Sequence, residues 1–279
     1  LYRILLLLVL AGFFPVDSEA QESGSFVEKW QARATRTQAE QPKWAVPMVA
    51  PFPTLAQVYR TDFTRQITPA GDQNWNLGTG KGFNLIPFAR TQVDVLTPGF
   101  VTHGDGAADG FGDVAFLAKY RVLSANEQHG NYILSGALGM TVPTGSHKNG
   151  AASTVLTPTI SGGKGFGQFD VIGSIGAGLP TSGAQTSGRT VHTNAVAQYR
   201  VKKYFVPELE VNSTSFVGGA KDGKTQTFLT PGLMVGKFPI RSAESKSRMG
   251  ILAGVAFQTA VTSYHSYNHS LVMSLRLGF

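Results

Sequence analysis

The last dozen residues of the chain, NHSLVMSLRLGF from Asn268 to Phe279, alternate strictly. His269, Leu271, Met273, Leu275, Leu277 and Phe279 fall on one parity, and Ser270, Val272, Ser274, Arg276 and Gly278 on the other. A period of two is a strand with one apolar and one mostly polar face. Such a strand leaves two architectures. In a soluble sandwich the apolar face turns inward. In a membrane barrel it turns outward to lipid, and the polar face lines a lumen. On the barrel reading Leu275 faces lipid and Ser274 the lumen. The terminal aromatic, Phe279, then resembles the signal read by a barrel-assembly machinery.

The rest of the chain favours the barrel. From Leu55 onward alternating segments recur, broken by Gly, Pro, Ser and Asn, and no long helical period interrupts them. They predict strands near 55–68, 81–88, 92–101, 112–123, 131–142, 152–163, 166–180, 189–201, 203–216, 225–237, 248–261 and 268–279. Twelve is an even number, which puts both barrel ends on one side, as closure requires; ten is the alternative count. A turn at Arg90 divides residues 81–101, and without it the parity fails. Odd-numbered links such as PTGSHKNGAA and VGGAKDGKTQ are long and polar, whereas the links around Arg90, Glu127, Gly165 and Lys202 are mostly short. That asymmetry matches long external loops and short periplasmic turns. The stretch 238–247 is long for a periplasmic turn.

Residues 1–20 read as a signal peptide. Arg3 is the basic start, Ile4 to Phe14 an apolar core, and Ser18-Glu19-Ala20 a small-x-small cleavage site. An exported chain without an apolar helix can span a membrane only as a closed barrel. Residues 21–54 precede the barrel, which occupies 55–279. Their first part is polar and mildly helical, with Phe26, Val27 and Trp30 on one face, and a proline-rich run from Pro42 to Pro53 comes next. This extension reads as a periplasmic lead-in, a plug at the barrel mouth, or a disordered tail. No cysteine occurs, so disulfides and thiolate metal sites are excluded. The net charge of +7 is scattered rather than clustered, which argues against a nucleic-acid partner.

The motifs that could carry chemistry read better as structure. GGAKDGKT at 218–225 satisfies the phosphate-loop pattern, but the residues after it alternate and include Pro231, so no helix N-terminus faces a phosphate. SYHSYNHS offers His265, His269 and Ser270 for a rim hydrolase, yet His269 and Ser270 lie on opposite faces. Tyr264, Tyr267 and His269 read better as an interfacial belt. No catalytic residue, metal or cofactor is expected.

DGFGDVAFLAKYRVL at 109–123 and YILSGALGMTVPTGS at 132–146 carry a resemblance. A DGxGD loop, a strand ending in Lys-x-Arg (Lys119, Arg121) and a strand ending in Pro143-Thr144-Gly145 resemble the outer-membrane transporter-like family grouped under the MetA pathway of phenol degradation. The likeness spans roughly 55–279. It implies an outer-membrane barrel of a Gram-negative-type bacterium that passes small molecules, hydrophobic or aromatic ones among them. It supplies no catalytic residues.

The expectation is therefore an all-β, transmembrane antiparallel barrel of about twelve strands with a short N-terminal periplasmic extension. It acts as a channel or transporter, with outer-membrane lipids, the assembly machinery and a small-molecule cargo as partners. An outer-membrane lipid hydrolase and a non-conducting, partner-binding barrel are the alternatives. Arg60, Asp62, Asp94, Lys119, Arg121, Glu208, Glu210 and Arg276 fall on polar faces at similar heights and are the candidates for a lumen-lining belt. Confined charges are costly unless matched, so most are expected to pair with one another and brace the wall, or to form a constriction.

Overall fold

The computed structural model describes residues 25–78, 81–240 and 248–279. The expected signal peptide and most of the 238–247 link lie outside the described residues.

One antiparallel sheet closes on itself. Its strands are β1 (Val58–Ile67), β2 (Gln73–Leu77), β3 (Lys81–Phe88), β4 (Thr91–Thr97), β5 (Phe100–Thr102), β6 (Gly110–Phe111), β7 (Val114–Ala125), β8 (Tyr132–Val142), β9 (Val155–Phe166), β10 (Phe169–Pro180), β11 (Arg189–Tyr199), β12 (Phe205–Val217), β13 (Thr225–Pro239), β14 (Gly250–Ala260) and β15 (His269–Gly278). The final strand pairs with the first from Val58 opposite Gly278 to Ile67 opposite His269, so no sheet edge is left along the wall.

Six of these segments are halves of three barrel strands. β1 pairs with both β2 and β3, β2 continues against β5, and β5 continues against β6 as β4 does against β7. The breaks fall at Gly78, at Pro98-Gly99 and at Gly112-Asp113. Pro98 has no N–H for the ladder, and Gly78 has φ +88°. Counted as continuous walls, the strands number twelve. The first long link is accordingly shorter than its composition suggests, because Gln73–Leu77 is already paired with β1.

The two faces differ as alternation requires. Phe63, Phe83, Phe116, Ile160, Ile175, Leu209, Val255 and Leu275 are exposed on the outside, Leu275 at 49%. Arg60, Asp94, Lys119, Ser135, Gln198, Glu210, Thr230 and Ser274 are buried on the inside. An outer wall of large apolar side chains with polar groups sealed within is a soluble domain turned inside out, and only a lipid solvent makes that arrangement stable.

Helix α1 (Phe26–Ala39) lies at the end of the barrel that carries the short turns. Ser25 caps it: its hydroxyl accepts from Glu28 N, and the Glu28 carboxylate accepts from Ser25 N at 2.7 Å. That backbone bond, then the hydroxyl, holds the Glu28 carboxyl below the usual carboxylate range. The helix is fastened to the barrel rim. Thr37 Oγ1 donates to Ala89 O at 2.9 Å, Asn126 Nδ2 donates to Ala39 O at 3.0 Å, and Trp30 Nε1 donates to Gln57 Oε1 at 2.6 Å. From Glu40 the chain turns into the lumen and leaves it only at β1.

The faces make a direct test. Ile175 points outward near the middle of β10, and its neighbour Ser174 lines an internal cavity. Arginine at a bilayer midplane on the lipid side costs roughly 2–4 kcal/mol. Ile175→Arg is expected to lower the folded yield in lipid vesicles markedly, and Ser174→Arg much less; heat-modifiable gel mobility reads both.

Candidate functional site

An extended segment inside a closed barrel has a particular difficulty. Most wall N–H and C=O groups are already spent on the sheet ladders, yet the segment's own peptide groups need partners. Residues 42–57 meet this in two ways. Pro42, Pro47, Pro51 and Pro53 remove four donors and favour an extended chain. Side chains from the inner faces of several strands meet the groups that remain.

The bases take carbonyls. Arg60 donates to Pro47 O at 3.1 Å and to Met48 O, and Arg276 donates to Val46 O and to Pro47 O at 3.0 Å. Lys119 Nζ reaches Thr54 O at 3.2 Å and sits 3.7 Å from the centre of the Phe52 ring. Arg121 donates to Thr37 O at 2.6 Å and pairs with Glu40. The acids take amides. Glu208 accepts from Met48 N at 2.9 Å; Glu210 accepts from Val49 N at 2.9 Å and Ala50 N at 2.7 Å. Neutral groups complete the set: Gln92 accepts from Ala56 N at 2.6 Å, and Ser135 donates to Pro53 O at 2.6 Å.

Six of the eight belt residues named from the sequence thus touch residues 37–54 directly. Asp62 and Asp94 support the others. Asp62 holds the Arg60 guanidinium at 2.7–3.1 Å, and Asp94 accepts from Gln92 at 2.7 Å. Mutual pairing, the arrangement expected from the sequence, is limited: within the belt the direct ion pair among the described residues is Arg60–Asp62. The charges face a third party, the threaded backbone, which strand periodicity could not reveal. Lys81, which alternation did not single out, stands within electrostatic reach of Arg60, Asp62 and Arg276.

Apolar seats share the work. Trp44 and Ala50 pack with Ile133, Ile172 and Val196, and Met48 with Met234, Ala256 and Val272. The wall is recessed beneath them: a Cβ on Gly254 would lie 2.5 Å from Met48 Sδ, and one on Gly163 2.7 Å from the Trp44 ring. Burying a side chain such as Met48 contributes roughly 1.5–3 kcal/mol. Ordering each backbone residue costs about 1–2 kcal/mol. A few apolar anchors cannot hold sixteen residues, so the polar bonds and the prolines are needed as well.

Beyond the segment lies a cavity of about 330 Å³ in the other half of the barrel. Val49 and Pro51 form its floor. Its walls are uncharged and hydrogen-bonding: Thr157, Thr159, Ser174, Asn194, Asn212, Gln226 and Gln258, with His192 between Thr190 and Thr214. Tyr267, expected on the outer rim, turns inward instead. It stacks on Phe228 with ring centres 4.3 Å apart and donates to Gln258 Oε1 at 3.0 Å. Burial pushes its phenol up to about 12. Its inward position reflects the loop at 261–268, where strand parity no longer applies.

The other motifs resolve structurally. Residues 218–224 form a hairpin loop with a single 3-10 turn, Gly219–Lys221. His265 is held by Thr262 O at 2.7 Å and Asn268 Oδ1 at 2.9 Å, His269 stacks on Phe257 outside, and Ser270 is sealed in the wall. Asp113 of the DGxGD loop accepts from Thr144, Gly145 and Ala151 N at 2.7–2.9 Å, joining two far-end loops. At the near end Phe279 N donates to Gln57 O at 3.3 Å, and Gln57 Nε2 donates to Phe279 O at 3.2 Å.

Comparison with known proteins bears on this arrangement. Residues 54–236 match the family model described as "Putative MetA-pathway of phenol degradation". Among solved structures, the COG4313 outer membrane channel from Pseudomonas putida F1 is similar at 13% identity and TM-score 0.54, over 84% of this chain and 98% of that one. The translocator domain of the autotransporter NalP from Neisseria meningitidis is similar at 12% identity and TM-score 0.45, over 80% and 87%. No curated protein matches.

Glu210 holds two successive amides of the segment. Glu210→Ala leaves Val49 and Ala50 N–H without partners, at about 1–3 kcal/mol for each buried donor. With two donors lost together, amide exchange across residues 46–50 is expected to accelerate by about 30-fold or more, while exchange in β10 and β11 stays unchanged.

Proposed function

The chain belongs to the family described as "Putative MetA-pathway of phenol degradation", and from that membership we propose that it is an outer-membrane channel for small molecules, closed at rest by residues 42–57 acting as a plug. The observation that carries the reading is the threaded segment. Its peptide groups are held by side chains rather than by a sheet ladder, so it can leave without breaking the wall. The barrel stands without it, because β1 to β15 close by their own pairing.

The internal cavity supports the transport reading further. A lining of Ser, Thr, Asn and Gln suits a cargo that forms hydrogen bonds better than one that is purely hydrophobic. The Phe228–Tyr267 stack offers one flat aromatic wall. No rim serine stands against His265 or His269 among the described residues, so the geometry supports passage rather than lipid hydrolysis. The end with the short turns, which holds α1, faces the periplasm on this reading, the outer apolar band meets membrane lipid, and Phe279 is offered to the assembly machinery.

A filled lumen is also what a non-conducting, partner-binding barrel would have. Conductance separates the two. In planar bilayers the full chain is expected to show small or rare openings, Glu210→Ala frequent ones, and the chain lacking residues 21–54 a large steady conductance. Folded preparations of all three with equally negligible current would leave the non-conducting barrel standing.

A further inference from the structure

The Pro47–Met48 peptide unit is gripped from both sides. Its carbonyl receives Arg60 at 3.1 Å and Arg276 at 3.0 Å, and its N–H goes to Glu208 at 2.9 Å. The next unit repeats the pattern. Met48 O receives Arg60, and Val49 N donates to Glu210 at 2.9 Å. All four charged side chains are more than nine-tenths buried, at 6% for Arg60, 2% for Arg276, 6% for Glu208 and 0% for Glu210.

The grip is stronger than its present occupant warrants. Arg60 and Arg276 stand directly opposite each other on β1 and β15, a like-charge pair that repels. They converge on one neutral carbonyl oxygen; Asp62 already occupies the Nε–Nη2 edge of Arg60, but Arg276 meets only Ser274, Met48 Sδ and carbonyl oxygens, whereas a guanidinium fork matches a carboxylate far better. Glu208 and Glu210 lie two residues apart on one face of β12 and receive neutral amides, whereas an ammonium would be the better-matched donor. The peptide is thus a neutral dipole between Arg276 and two glutamates that have no direct ion-pair partner among the described residues.

We propose that this clamp is the recognition site for the cargo, and that the cargo is a small zwitterion of the α-amino-acid type. The inference rests on the channel reading above. Such a molecule sets its carboxylate and ammonium about as far apart as the carbonyl and N–H of one peptide unit. It places the first on Arg60 and Arg276, and the second on Glu208 and Glu210. It binds only where Pro47–Met48 has left, so cargo and plug compete, and binding shifts the equilibrium toward the open lumen. A molecule with one charge satisfies one wall and leaves either Arg276 or the two glutamates buried and unmatched.

The chain has no cysteine, so one can be introduced at Ala50, buried in the plug beside Trp44. The full-length Ala50→Cys protein in phospholipid vesicles is reacted with a water-soluble maleimide. Glycine is the probe, and acetate and methylammonium at equal concentration are the single-charge controls. Glycine is expected to accelerate modification by about fivefold or more, the lower end of an ordinary coupling, and each control much less. Adding Arg276→Gln should abolish the glycine response; Arg276→Lys, which keeps the charge but not the fork, should weaken it if the glutamine variant fails to fold. The proposal is overturned if Glu210→Ala speeds modification and opens the channel while glycine does no more than acetate. If Glu210→Ala speeds modification without raising conductance, the channel reading itself fails and the cargo assignment goes with it.

Discussion

Closing a sheet consumes its backbone. Once β15 pairs with β1, most backbone groups of the wall are taken up by the ladders and few are left to offer anything in the lumen. Whatever fills that space must be recognised by side chains, and the lumen takes its character from this constraint. Extended residues 42–57 lie across it, and the inner wall answers their carbonyls with Arg and Lys and their amides with Glu and Gln. Buried charges that would be hard to tolerate in isolation are each matched by a peptide dipole or a neighbour.

The same constraint explains the division of the lumen into two chemistries. The half that meets the threaded segment is charged, because charge-assisted bonds are short and strong enough to hold a chain that has no ladder. The far half meets no threaded chain among the described residues, and its lining is small, polar and uncharged, with one aromatic stack. The floor of the cavity is the threaded segment itself, through Val49 and Pro51. Filling the lumen and shaping the space above it are therefore one structural act. The family motifs divide in the same way: Asp113 ties far-end loops together, while in the Lys-x-Arg strand Lys119 holds the threaded segment and Arg121 the end of α1.

Much of the wall is legible in the sequence. Alternation placed the twelve wall strands, and it put Leu275 outside and Ser274 inside, because side-chain direction in a strand is a local property with a period of two. It also grouped eight charges on inner faces. It could not say what those charges touch. Glu208 and Glu210 lie some 160 residues from the amides they accept, and nothing local in VPELEVN encodes Met48 or Ala50 as a partner. The proline run was visible, but a lead-in, a plug and a disordered tail share that composition.

What the sequence by itself determined is therefore the wall: strand period, the face of each strand on which a residue lies, and a preference for twelve strands over ten. All of these depend on residues within a few positions of one another. The tertiary structure alone decided the contents of the lumen. It turned Tyr267 inward onto Phe228, set Arg60 beside Arg276, and brought Pro47–Met48 between them and the two glutamates. The physical reason is closure, since side chains from opposite walls become neighbours only when the sheet has bent round to meet itself.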